Sequence, residues 1–152
     1  MSEILDTPLG RVALKTSGAL VKEVHLGARG RPAPPRPPTP LARDLSRYFS
    51  GQPVNFDDYE VDLTGYTEFQ RRVYEATRAI PPGEVRTYGE IAAAIGKPGA
   101  SRAVGNALGR NPACIVIPCH RVVGANGGLG GFTGGLRWKR ALLRLEAPLA
   151  ER

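Results

Sequence analysis

The chain has 152 residues, 41% of them hydrophobic and 23% charged, which excludes a disordered protein and allows one domain or two small ones. Two Cys five positions apart form no disulfide framework, and with two distant His they do not spell a zinc site. The start lacks the basic and apolar regions of a signal peptide, and no apolar run nears the ~20 residues that span a bilayer, so a cytoplasmic protein with reduced thiols is expected.

The net charge of +7 is unevenly placed. Residues 1–64 carry eight Lys/Arg against eight Asp/Glu, and residues 65–152 carry thirteen against six. The asymmetry points to a polyanionic partner for the second half, nucleic acid first; a basic surface kept for solubility is the alternative.

In chain order, residues 1–27 read as strands. Thr7-Pro-Leu-Gly10 is a turn signal before a weakly alternating Arg11–Lys15, and Ser17-Gly18 is another before a return strand, Leu20–Leu26. His25 within that strand reads as a structural or surface residue. Six of the nine residues from Pro32 to Pro40 are Pro, so 31–40 is a stiff extended loop. Leu41–Phe49 is a short helix with Leu41, Leu45, Tyr48 and Phe49 at 3–4 spacing. Val54–Leu63 reads as an acidic edge strand or an extended connector.

From Thr64 the texture becomes helical. Thr67 caps a helix to Ile80 with Phe69, Val73, Ala76 and Ile80 on one side, stopped by Pro81-Pro82-Gly83. Thr87 caps a second helix, Tyr88–Ile95, with Glu90 at the capping-box position. After Gly96-Lys-Pro-Gly99 comes a third helix, Ala100–Gly109. Its packing side is Ala100, Ala103, Val104, Ala107 and Leu108; its other side, Ser101, Arg102, Gly105, Asn106 and Gly109, is small and polar with one long cation. Helix, short turn, helix is the helix-turn-helix outline, weak alone because any helical hairpin gives it. The basic half-chain and the Arg-bearing small face favour DNA.

Ala113–Ile117 reads as a short buried strand that stops at Pro118. Cys119, His120 and Arg121 follow at once. Cys119 is then either a small buried hydrophobe or a nucleophile set just past a strand, and the motif alone does not choose. A glycine-rich loop, 124–134, lacks the phosphate-binding pattern. The last helix, Leu136–Glu146, has Trp138, Leu142 and Leu145 as its core stripe and Arg137, Arg140 and Arg144 towards solvent. Glu146 either frays into water or points inward, where the helix dipole disfavours it unless a partner such as His120 is present.

Pro118-Cys-His-Arg-Val122 resembles the active-site signature of the O6-alkylguanine-DNA alkyltransferases, the methylated-DNA–protein-cysteine methyltransferases. So do Gly83-Glu-Val-Arg-Thr-Tyr-Gly-Glu-Ile-Ala92, Ser101-Arg-Ala-Val-Gly-Asn-Ala-Leu-Gly-Arg-Asn-Pro112, Gly131-Phe-Thr-Gly-Gly135 and Trp138-Lys-Arg-Ala-Leu-Leu-Arg-Leu-Glu146. Together they cover nearly all of 65–146 in the family's order. The resemblance implies an α+β fold: a small N-terminal α/β domain (1–63), RNase H-like, and a mainly helical, winged-helix-like domain (64–152).

It further implies repair by irreversible, single-turnover transfer of the alkyl group from O6-alkylguanine, and O4-alkylthymine, to Cys119 after base flipping. His120 would be the base through a bridging water, oriented by Glu146; Asn111 would hold the turn before the site. Tyr88 would donate to guanine N3, and Arg102 would fill the vacated stack. Gly89, Lys97 and Ser101 would complete the DNA-facing set, and Val122, Phe132, Thr133 and Gly134 would grip the base. The implied partner is double-stranded DNA approached from the minor groove by a monomer, with no cofactor, metal or membrane.

Three positions depart from the family pattern: Phe132 for a frequent Tyr, Tyr74 for a common Trp, and Cys114 at a variable place on the pocket wall, read as packing. The rival readings are a non-catalytic helix-turn-helix DNA-damage binder, which would lack the acceptor thiol, a transcriptional regulator, and a Cys-His hydrolase, which would leave the helix-turn-helix unexplained.

Overall fold

Alternation of Val12, Leu14 and Thr16 on one face of a strand, and of Val21 and Val24 on the next, builds the first layer of the protein. The computed structural model describes residues 2–30, 37–128 and 135–151. Strands β1 (Ser2–Thr7), β2 (Gly10–Ser17) and β3 (Leu20–Leu26) form an antiparallel meander. The first turn is closed by Thr7, whose Oγ1 accepts from the backbone N–H groups of Leu9 and Gly10. Helix α1 (Pro40–Phe49) is capped by Thr39, which accepts from the Ala42 N–H, and Pro40 fits the first turn because its missing N–H is not needed there. It buries Leu41, Ala42, Leu45, Tyr48 and Phe49. His25 is exposed on β3.

The acidic stretch 54–63 follows the connector alternative, with only Glu60–Val61 (β4) in strand, pairing parallel with Leu20–Val21 at the start of β3. One expectation for this part changes. The buried strand expected at 113–117 does not form. Ala113 makes a single bridge to Val24, and Ile115 then takes φ 75°, a left-handed conformation that a β-branched residue seldom adopts and that no ladder continues through. The chain divides into two compact units, Met1–Asp62 with Pro112–Val116, and Leu63–Asn111 with Ile117–Arg152.

The second unit is built on helices. Helix α2 (Glu68–Arg78) starts with a full capping box, Thr67 and Gln70 each bonding the other's backbone N–H. It buries Val73, Tyr74 and Thr77, while Phe69 and Ala76 are only half-buried. The Tyr74 hydroxyl donates to the Ala107 carbonyl at 2.6 Å, so this aromatic joins two helices.

Strand β5 (Arg86–Thr87) leads directly into α3 (Tyr88–Ala94), again with a capping box, here Thr87 with Glu90. Gly96, at φ 77°, ends α3: its N–H bonds the Ala93 carbonyl and that of Lys97 bonds Ala92, the paired closure that favours glycine in the left-handed position. Helix α4 (Ser101–Leu108) buries Val104, Ala107 and Leu108; Ala103 is exposed, so the packing stripe is narrower than expected. Strand β6 (Val122–Val123) pairs parallel with β5, and α5 (Leu136–Glu146) is followed by a 3-10 turn, Ala147–Glu151. No helix among the described residues is long and apolar enough to cross a membrane.

Candidate active site

A three-residue turn at Pro118 aims the thiol. Pro118 has φ −80° and ψ 64°, and the Cys119 N–H donates back to the Ile117 carbonyl at 2.8 Å, the inverse γ-turn geometry that proline's fixed φ favours. Cys119–Arg121 then form one turn of 3-10 helix, not the residues just past a regular strand. Cys119 is 4% exposed and reduced. Upstream, the buried Asn111 donates from Nδ2 to the Ile117 carbonyl at 2.8 Å, tying the end of α4 to the start of this bend.

Beneath the turn lies a buried ionic cluster. His120 and Glu146 are both fully buried, with Nε2 2.7 Å from Oε2. Glu146 therefore points inward, as one of the two expectations held. Arg121 binds the same carboxylate twice, Nε to Oε1 at 2.8 Å and Nη2 to Oε2 at 3.0 Å, and donates from Nη1 to the Ile80 carbonyl at 2.6 Å.

Burial alone would raise the Glu146 carboxyl, but the bonds and charges of His120 and Arg121 hold it well below the usual carboxylate range. Burial pushes the His120 ring down; Glu146 works against that, and Arg121 and Lys139 add to it. The ground state that follows is an ionised Glu146 with a neutral imidazole donating from Nε2. Its Nδ1 is then a lone-pair acceptor, and among the described residues it is buried without a partner.

A second group surrounds Tyr88. Its position at the first turn of α3 is set by the β5–β6 pairing, Arg86 with Val122 and Thr87 with Val123, which brings α3 beside the residues following the thiol. A β-carbon on Gly105 would lie 3.8 Å from the Tyr88 ring, and one on Gly89 would lie 3.5 Å from Ser101 Oγ, both ordinary van der Waals distances that place α3 and α4 side by side. Lys139, completely buried, donates to the Val122 carbonyl at 2.7 Å, and its Nζ lies 5.9 Å from the Tyr88 ring centre. Burial, then the charge of Cys119, raises the Tyr88 hydroxyl, which keeps it protonated as a donor; burial lowers the Lys139 ammonium.

Gly89, Lys97, Ser101 and Arg102 are all exposed on the α3–α4 hairpin, and Val122 is buried in β6. Phe132, Thr133 and Gly134 lie outside the described residues. Cys114 is buried and groups with the first unit, its N–H bonded to the Val24 carbonyl.

Arg121 and Lys139 were missed as site residues. Lys139 carried only a faint signal, since it falls at the edge of the inward arc that Trp138, Leu142 and Glu146 define on α5, as the half-buried Leu145 does on the other side. Arg121 carried none beyond adjacency. Among the described residues no three His, Cys, Asp or Glu side chains gather as a metal site requires.

The family model described as 6-O-methylguanine DNA methyltransferase, DNA binding domain, matches residues 68–148. The chain belongs to the methylated-DNA–protein-cysteine methyltransferase family. A family member from Mycobacterium bovis is 45% identical over 96% of this chain and 92% of its own length. One from Mycolicibacterium paratuberculosis is 47% identical over 93% and 89%. Among solved structures of the family, Mycobacterium tuberculosis OGT in complex with DNA superposes with a TM-score of 0.85 at 44% identity, covering 97% of this chain and 93% of that one. The methyltransferase from the archaeon Pyrococcus kodakaraensis retains the fold at a TM-score of 0.74 and 25% identity. The mixed α+β architecture is thus the family's.

Proposed function

We propose that this chain repairs DNA by taking the alkyl group from O6-alkylguanine, and from O4-alkylthymine, onto Cys119 in one irreversible turnover. The observation that carries the residue roles is the Cys119–His120–Glu146 arrangement: a buried thiol on a bent turn, next to an imidazole with Nδ1 unpartnered among the described residues and Nε2 held by a carboxylate.

The alkylated O6 is out of reach inside a duplex, so the nucleotide is rotated into the site from the minor groove. Arg102, exposed on α4 beside small residues, fills the gap it leaves. Gly89, Lys97 and Ser101 lie against the backbone, and Val122 with Phe132, Thr133 and Gly134 grips the base. The thiol proton passes through a water to His120 Nδ1. Sulfur then bonds to the alkyl carbon as the C–O6 bond breaks, and the electron pair flows into the guanine ring, where the Tyr88 hydroxyl donates to N3. A thioether has no easy hydrolytic return, so each molecule acts once. Asn111 holds the bend that presents the thiol.

In this reading residues 1–63 are an RNase H-like unit and 64–152 a winged-helix-like unit that carries DNA binding and chemistry. The protein acts as a cytoplasmic monomer without a cofactor.

The test is incubation with duplex DNA containing O6-methylguanine, followed by intact and peptide mass measurement. One methyl group on the Cys119 peptide, at most one per molecule, and none in Cys119→Ser is expected. Repaired DNA beside an unmodified Cys119, or repeated turnover, would overturn the assignment.

A further inference from the structure

Glu146 bonds Arg121 through both carboxylate oxygens and His120 through one. This matters for charge. A buried Glu–His pair without another cation is a carboxylate that draws a proton onto the ring, and an imidazolium cannot take the thiol's proton. A guanidinium on both carboxylate oxygens neutralises that pull and turns Oε2 towards Nε2. Its third bond, to the Ile80 carbonyl just beyond α2, fixes the guanidinium independently of the carboxylate.

We propose that Arg121 is a positioning residue that keeps His120 neutral, with its proton on Nε2 and Nδ1 free to accept, by saturating Glu146. The charged groups acting on the ring are Glu146 and Lys139 from α5 and Arg121 from its own turn. Lys139 bonds the Val122 carbonyl, whereas Arg121 bonds both oxygens of the carboxylate that faces the ring. This assignment rests on His120 being the base for Cys119, but its test reads the ring directly and needs no alkyl transfer.

The chain has only two His, and His25 is exposed, so a His25→Gln background leaves one imidazole to follow by nitrogen-15 NMR against pH. In the otherwise unaltered chain the ring should still be mainly the neutral Nε2–H form at about pH 6.5, the ordinary midpoint. Arg121→Met should raise its protonation midpoint by about one pH unit or more, and Arg121→Lys, which restores a cation, should return it towards the starting value. If the Met variant fails to fold, Arg121→Gln takes its place, and the parent ring decides by itself.

A parent imidazole already half-protonated at about pH 6.5, the ordinary value, or carrying its proton on Nδ1, would overturn the proposal. So would an unchanged midpoint in the neutral variants, which would leave Arg121 a purely structural brace. The expected titration without any Cys119 methylation would instead keep this assignment and remove the repair reading.

Discussion

Replacing Glu146 with Gln removes one charge and no volume, so its effect measures the ionic cluster. The carboxylate accepts from His120 at 2.7 Å and from Arg121 at 2.8 and 3.0 Å. Gln has one acceptor oxygen, and its amide nitrogen must face a donor, either His120 Nε2 or the Arg121 guanidinium. Arg121 is 7% exposed and would be left a buried cation with no counter-charge, held by the Ile80 carbonyl and at most the one amide oxygen. Breaking a buried pair in this way costs about 3–5 kcal/mol. At about 2 kcal/mol per molar in urea, that lowers the unfolding midpoint by about 2 M.

Trp138, the single tryptophan, is buried on α5 in the same unit and reports the transition by fluorescence. Acid should separate the terms. His120 holds its proton less tightly in the folded than in the unfolded chain, so its part of the stability falls as pH drops below about 6.5. Glu146 lies below its unfolded value, so its part is present above about 4.3 and lost as pH falls further. Both make the parent acid-labile; Glu146→Gln should lose the lower limb. Reaction with alkylated DNA and with free O6-benzylguanine should slow together. A midpoint change under about 0.5 M with an unaltered acid limb would refute the reasoning, because Arg121 would not then depend on this carboxylate.

Arg102→Ala should slow repair of duplex DNA about tenfold or more while leaving the reaction with free O6-benzylguanine near its original rate, since only the duplex needs its gap filled; equal slowing in paired rate measurements would remove the wedge role. Lys139→Met trades a fully buried ammonium, bonded to the Val122 carbonyl, for an apolar chain of similar length, so urea unfolding at pH 7 should show stability unchanged or raised by about 1–2 kcal/mol. Because the Lys139 ammonium is depressed in the folded chain, the parent gains stability as pH rises towards about 10.4, and the Met variant should lack that gain.

Local chemistry was legible wherever neighbours in sequence are neighbours in space. The Thr67 and Thr87 caps, the Gly96 closure between α3 and α4, and the β2–β3 hairpin each depend on residues a few positions apart, so period and turn residues suffice to read them. Misreadings fell where a distant partner decides. A β-branched run at 113–117 has the composition of a strand, but a strand needs a ladder; only Ala113 finds a bridge, and Ile115 turns away in a left-handed conformation.

The thiol, imidazole and carboxylate were visible in the sequence as residue types, together with the turn-forming Pro118 and the family they resemble. Their state was not. Residues 120 and 146 are 26 positions apart, and whether Glu146 frays or enters the core depends on Arg121 meeting it there. Burial without that partner would expel or protonate the carboxyl. Sequence determined which groups can do the chemistry. Tertiary structure decided their proton state, because desolvation and ion pairing are properties of the packed interior, not of neighbouring letters.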